Sequence, residues 1–174
     1  MKKSILLLLV VCGSFISAQA QLADTVKAYL IRDFQRAKSY TQEYLNAMPA
    51  DKYSYRPHDS VRTFAQQMLH LSEGNFGIGS LASGIPVPRR GLEKGVSPVK
   101  DSVVAVVNAS YDFIIDALIK TDPSTFLIES KMGNMGFSKL AWFNKVFEHQ
   151  THHRGQTTIY IRMVGIKPPP ERLF

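Results

Sequence analysis

The chain has 174 residues, 45% of them hydrophobic and 20% charged, with a formal net charge of +7. These proportions suit one globular domain, with or without an appendage, and exclude disorder and collagen-like repeats. A single cysteine, Cys12, excludes both a disulfide framework and a cysteine-based zinc site.

The N-terminus reads as a segment apart from the fold. Lys2 and Lys3 precede an apolar run from Ile5 to Ile16, and Ala18-Gln19-Ala20 follows. A basic start, a short apolar stretch and an A-x-A site describe a secretory signal peptide. The run falls short of the ~20 residues a membrane span needs. Cleavage is expected after Ala20, giving a signal peptide over 1–20 and one domain over 21–174. A lipoprotein signal at Cys12 is disfavoured because Val11 stands where a small residue is needed. The exported domain, periplasmic or secreted, would lose Lys2, Lys3 and Cys12. It would keep 19 basic against 14 acidic residues, a charge of +5, and no membrane association. Its basic residues are scattered, with Arg89, Arg90 and Lys94 the densest group. No basic stripe or reading motif for nucleic acid occurs.

Four amphipathic stretches follow, separated by Pro/Gly punctuation. The first spans about Leu22 to Ala47, with Val26, Leu30, Phe34, Ala37, Tyr40, Tyr44 and Leu45 at helical spacing. Pro49 and Pro57 keep the next connector from continuing it. The second helix is expected to start near Asp59 or Ser60 as cap. It would run to about Leu81 through Phe64, Met68, Leu71 and Ile78. Residues 84–98, rich in Gly and Pro, form a loop long enough to cover something. Ser97-Pro98 is a plausible start for the third helix, which stops near Lys120, before Asp122-Pro123. A Gly-containing connector over 131–136 leads to Ser138, the expected cap of the fourth helix. Phe137 and Trp142 have the spacing of a hydrophobic staple. Gly165 and Pro168-Pro169-Pro170 end that helix near Val164. No strand-period pattern competes. The expected fold is all-α: an antiparallel four-helix bundle, up-down or with one long crossover.

Three of the five histidines fall within Glu148-His149-Gln150-Thr151-His152-His153-Arg154-Gly155-Gln156. With His149 at zero on a helical wheel, His153 lies at about 40° and His152 at about −60°. Trp142 and Tyr160 fall at about 20° and Val146 at about 60°, so His149 and His153 share a stripe with apolar core residues. Two imidazoles at i and i+4 can chelate one metal ion. The zinc-protease pattern H-E-x-x-H is not matched, because Gln150 occupies the Glu position. A third ligand must come from elsewhere. His70, among Phe64, Met68 and Leu71, is either a satisfied core residue or that ligand. Gly74 and Gly77 follow one and two turns later. They mark either space for a pocket or close helix packing, at roughly 1 kcal/mol of helix propensity each. His58, beside Pro57, reads as a loop residue. Glu73 is the better candidate for proton transfer. Glu148, at about −100° from His149, is more exposed.

These residues together resemble the DinB family of metal-binding four-helix bundles. The resemblance rests on three segments. The first is Met48-Pro49 through Tyr55-Arg56-Pro57, with Arg62-Thr63-Phe64 and Leu69-His70-Leu71. The second is the H-x-x-H-H-R-G-Q block from His149 to Gln156, and the third is Tyr160-Ile161-Arg162-Met163-Val164-Gly165. The resemblance implies His70, His149 and His153 as ligands of a divalent ion, zinc or nickel, with His152 a non-ligand. It also implies a homodimer, to which Phe143 and Phe147 add a weak sign as an apolar ridge off the histidine stripe. For activity it implies a metal-dependent hydrolase acting on a small molecule or a thiol S-transferase; a metal-binding bundle without turnover is a separate alternative. Export disfavours the S-transferase, whose thiol cosubstrates are mainly cytosolic.

Overall fold

The computed structural model describes the backbone of residues 2–172 and the side chains of residues 19–172. Most side chains of the expected signal peptide therefore lie outside the described residues. Helix α1 spans Lys2–Ala47, reaching N-terminal of the expected Leu22 start. Its buried stripe is Phe34, Ala37, Tyr40, Tyr44 and Leu45. Pro49 ends it, and a 3-10 turn at Ala50–Lys52 begins the connector.

Helix α2 spans Phe64–Ser83, several residues later than a cap at Asp59 or Ser60 would place it. The reason is hydrogen-bond satisfaction. Thr63 and Gln66 form a reciprocal capping box, Oγ1 accepting from Gln66 N at 3.1 Å and Thr63 N donating to Gln66 Oε1 at 2.9 Å. The connector supplies the remaining acceptors: Phe64 N donates to Tyr55 O at 2.9 Å and Ala65 N to Tyr53 O at 2.8 Å. The tyrosine-proline connector is thus the seat of α2.

The segment after α2 contains a single-turn helix, α3, at Leu92–Gly95. Helix α4 spans Lys100–Lys120. Its N-cap is Val99, without a side-chain cap, so Ser97-Pro98 does not start the helix as expected. By length and composition α4 is apolar enough to cross a membrane. Here Val103, Val107, Tyr111, Ile114 and Leu118 are core residues. A 3-10 turn at Pro123–Thr125 follows.

The connector to the last helix is not irregular. It is an antiparallel hairpin of β1, Glu129–Met132, and β2, Met135–Ser138. Gly133, φ 58°, takes the first central position of its two-residue turn, where a left-handed φ is required. Four-residue strands are too short for alternation to show in sequence. Ser130 ties the hairpin down, its Oγ donating to Leu81 O at 2.7 Å and its carbonyl accepting from Trp142 Nε1 at 3.0 Å.

Helix α5 spans Lys139–Met163, capped by Ser138 as expected, with Ala141 N donating to Oγ at 3.2 Å. The Phe137 and Trp142 rings meet edge-on at 5.0 Å, forming the expected staple. Phe147 meets Phe34 of α1 at 5.3 Å and Phe143 faces Phe126 at 6.1 Å, so the second apolar ridge of α5 is covered within the chain.

Contacts fix the helix directions. Lys27 on α1 donates to Ile119 and Thr121 carbonyls, while Lys100 reaches the Asn46 and Met48 carbonyls, so α1 and α4 run antiparallel. Gln67 bonds Gln156 and Tyr160 near the start of α2, and Gly74 faces His149, so α2 and α5 are also antiparallel. Asn75 meets Ser110 and Gly79 meets Ile114, making α2 and α4 parallel. Phe34–Phe147 and Tyr44–Thr158 make α1 and α5 parallel. The bundle is therefore up-down-down-up, with residues 84–99 as its long crossover. That topology gives α2 and α5 a shared interface, and this interface carries the histidines.

Candidate metal centre

His70 projects from α2, and His149 and His153 from successive turns of α5. Their ring centroids are 5.2 Å apart for His70–His149 and 4.5 Å for both His70–His153 and His149–His153. One nitrogen from each lies within 4.8 Å of the others, so the three rings could hold a metal ion. His152 meets the cluster only edge-on through His153, and its ring is exposed. His58 bonds Ser60 in the connector and takes no part. Gln150 faces away from the cluster, buried and bonded to Tyr111 and Arg154.

Hydrogen bonds select which nitrogens remain for an ion. His70 Nδ1 lies 2.6 Å from Glu93 Oε1, and a carboxylate can only accept, so Nδ1 carries a proton and, in the neutral ring, Nε2 holds the lone pair. Gln67 Nε2 donates to Gln156 Oε1 at 2.7 Å, which leaves Gln67 Oε1 to accept from His153 Nδ1 at 2.8 Å. His153 therefore also keeps its Nε2 lone pair. His149 differs: its Nδ1 is buried and has no hydrogen-bond partner among the described residues. That ring lies against Gly74, where an added Cβ would overlap Nδ1 and Cε1. Gly74 is thus a close-approach glycine, while Gly77 faces open space.

Burial, with smaller contributions from the neighbouring rings and Arg62, lowers His149 to about 4 and His153 to about 3 from 6.5. Both rings are neutral bases at ordinary pH, the form that coordinates metal. Neutral imidazoles suit zinc, nickel, copper or iron alike. In the metal-free protein the unfolded rings would protonate near 6.5 while the folded ones stay neutral. The unfolded state then binds more protons between roughly pH 6.5 and 4, so stability rises with pH through that window and is complete above it. The melting temperature of metal-free protein should fall on acidifying from about pH 7 to about pH 5, and fall less in His153→Gln. An identical pH dependence in the two proteins would contradict the assignment.

Two carboxylates lie beside His70. Glu73 Oε1 accepts from the backbone N of Leu92 at 2.5 Å, fastening α3 to α2. Glu93, one residue on, bonds His70 and receives Arg62 Nε at 2.8 Å on Oε2. Burial works to raise the Glu93 carboxyl, but the hydrogen bonds from Arg62 and His70 outweigh it and hold the group below its ordinary value. Sequence reading identifies the loop as a cover but does not single out Glu93. Nothing in its local sequence marks it, because its partners lie 31 and 23 residues away.

A helical bundle whose α2/α5 interface gathers three imidazoles belongs to the class of histidine-lined bundle proteins. Comparison makes this specific. The DinB family matches residues 22–172, and the chain belongs to that family. A DinB-like protein from Bacillus cereus ATCC 10987 superposes with a TM-score of 0.72 at 14% identity, covering 82% of this chain and 95% of that one. A DinB-like protein from Bacillus subtilis gives 0.69 at 15% identity, covering 82% and 96%. At these identities the likeness is one of fold. No curated protein sequence matches significantly.

Proposed function

We propose that this protein binds one divalent metal ion, zinc or nickel, through Nε2 of His70 and His153 and a nitrogen of His149, and acts as a metal-dependent hydrolase on a small molecule. The observation that supports it most is the hydrogen-bonded fixing of two rings with their lone pairs left free. A bound ion would supply Lewis acidity to a substrate. The chain's own residues would orient the ligands, and burial would keep His149 and His153 neutral. Glu73 is the carboxylate proposed for proton transfer, through the oxygen that Leu92 does not occupy. In this reading export delivers the protein to the periplasm or beyond, and it works as a homodimer.

One observation favours metal binding without turnover. Glu93 is committed to Arg62 and His70, and Glu73 spends one oxygen on Leu92. The test is metal analysis of purified protein, then an ester and thiol-transfer substrate panel. His149→Ala and His153→Ala are each expected to lose bound metal, whereas His58→Ala should retain it. Unchanged metal content in both of the first two would end the proposal. Full metal content with no turnover across the panel would leave the binding reading alone.

A further inference from the structure

The crossover between α2 and α4 departs from a passive loop in a specific way. Leu92 is 1% exposed, anchoring α3 in the core, and its backbone N is gripped by Glu73 from α2. These two contacts deliver the next residue, Glu93, onto the His70 ring, at 2.6 Å from Nδ1. Arg62, just before α2, closes the assembly with its Nε 2.8 Å from Glu93 Oε2. Its Nη2 also comes within 3.3 Å of His70 Nδ1. Two groups of opposite character therefore compete for one ring nitrogen. The carboxylate wins on distance and on charge, since an ionised acceptor forms the shorter, stronger bond.

We propose that Glu93 is a positioning residue for the metal centre: delivered by α3, it fixes the His70 tautomer that points a lone pair at His149 and His153, and it holds off Arg62, which would impose the opposite tautomer. This rests on the metal-centre reading above and deepens it. Without Glu93, Arg62 becomes the nearest partner of Nδ1 and can only donate. The ring must then carry its proton on Nε2, and the lone pair facing the pair of histidines is lost. Carboxylates behind a ligating histidine characteristically matter by tenfold to a hundredfold in affinity. Glu73 acts on the same ring at one remove, through Leu92.

A rival explanation is electrostatic. Deleting Glu93 also leaves Arg62 unneutralised near a cation site. A second rival is direct ligation, since His70, Glu73 and Glu93 also bring ligand atoms within 4.8 Å of one another. Three proteins separate these: Glu93→Ala, the charge-balanced Arg62→Met/Glu93→Ala double variant, and Glu93→Gln, whose amide oxygen can still accept from Nδ1. Two measurements are made on each. One is the tautomer of His70 in metal-free protein, read from its ring nitrogen-15 shifts at a pH where the ring is neutral. The other is zinc affinity by competition with a chromophoric chelator.

The expected result is the Nδ1–H form in the unmodified chain and a shift to Nε2–H in Glu93→Ala, with zinc bound roughly ten- to a hundredfold more weakly. Glu93→Gln should restore much of both. In the double variant the tautomer should be mixed and the affinity still reduced. Full recovery of affinity there would assign the effect to charge and overturn the proposal. An unchanged tautomer in Glu93→Ala would overturn it too, and combined with affinity lost in both that variant and the double one would make Glu93 a ligand. If the unmodified chain binds no zinc, the metal reading fails, yet the tautomer measurement still decides whether Glu93 sets the ring.

Discussion

Gly74→Ala should abolish the proposed metal binding while leaving the bundle folded. A methyl group on Gly74 would occupy the space of His149 Nδ1 and Cε1, far inside contact distance. The methyl is fixed to the α2 backbone and cannot move. The His149 ring stands on α5 one turn before His153 and two packed helices hold it, so it must turn out of the interface. Metal affinity should fall by at least roughly a hundredfold, beyond what loss of a supporting hydrogen bond produces. Helicity should survive, because alanine favours the helix by roughly 1 kcal/mol over glycine and offsets part of the clash. Gly77→Ala is the matched control on the same helix. Nothing lies within 4 Å of its added Cβ, so it should keep full affinity. Its stability should rise by up to about 1 kcal/mol. Zinc titration with circular dichroism checks both. Normal metal binding by Gly74→Ala would mean that His149 is not a ligand in the position described.

Such a result would also show which part of the site is legible in sequence. His149 and His153 can be paired from spacing alone, because a helix of fixed pitch puts i and i+4 on one face. Glycine near His70 can be noticed, but choosing between pocket and close packing needs the partner helix. The structure resolves Gly74 as close approach and leaves Gly77 facing open space. The same limit explains the α2 boundary. Asp59, Ser60 and Thr63 are all plausible caps by type. The choice is made by the carbonyls of Tyr53 and Tyr55, which reach Ala65 and Phe64 only once the connector has folded back. Glu93 was out of reach for a third reason. Its role depends on a crossover docking onto α2 through Leu92, and long-range docking leaves no periodic trace. The up-down-down-up order is likewise carried by the pairing of Asn75 with Ser110 and Lys100 with the end of α1, not by helix lengths.

Arg154 sets the second large effect, and its sign depends on what replaces it. It follows His153 directly, and a motif reading alone would put it at the metal. One residue along a helix turns the side chain by about 100°, and Arg154 faces α1 instead. It is buried at 6% exposure, with Nη1 2.9 Å from Gln150 Oε1 and 3.4 Å from Thr41 Oγ1. Its guanidinium carbon sits 4.5 Å from the Tyr40 ring centroid. None of these partners is a carboxylate, so among the described residues the cation is held by dipoles and a ring face. Desolvating such a charge costs several kcal/mol, which those contacts only partly return. Arg154→Ala would empty the space and should lose about 2–5 kcal/mol, as large-to-small core changes do. Arg154→Met fills most of that volume without a charge to desolvate. Gln150 Oε1 would keep its bond from Tyr111, now at 2.7 Å, so no acceptor is orphaned. That variant should lie within about 1.5 kcal/mol of the unmodified protein or exceed it. Zinc affinity should be unchanged in Arg154→Met, because the side chain faces α1, away from the histidines. Urea unfolding followed by zinc titration reads both quantities. A methionine variant as unstable as the alanine one would show that the charge itself holds the bundle together. A methionine variant that is stable but cannot bind zinc would place Arg154 in the service of the metal centre after all.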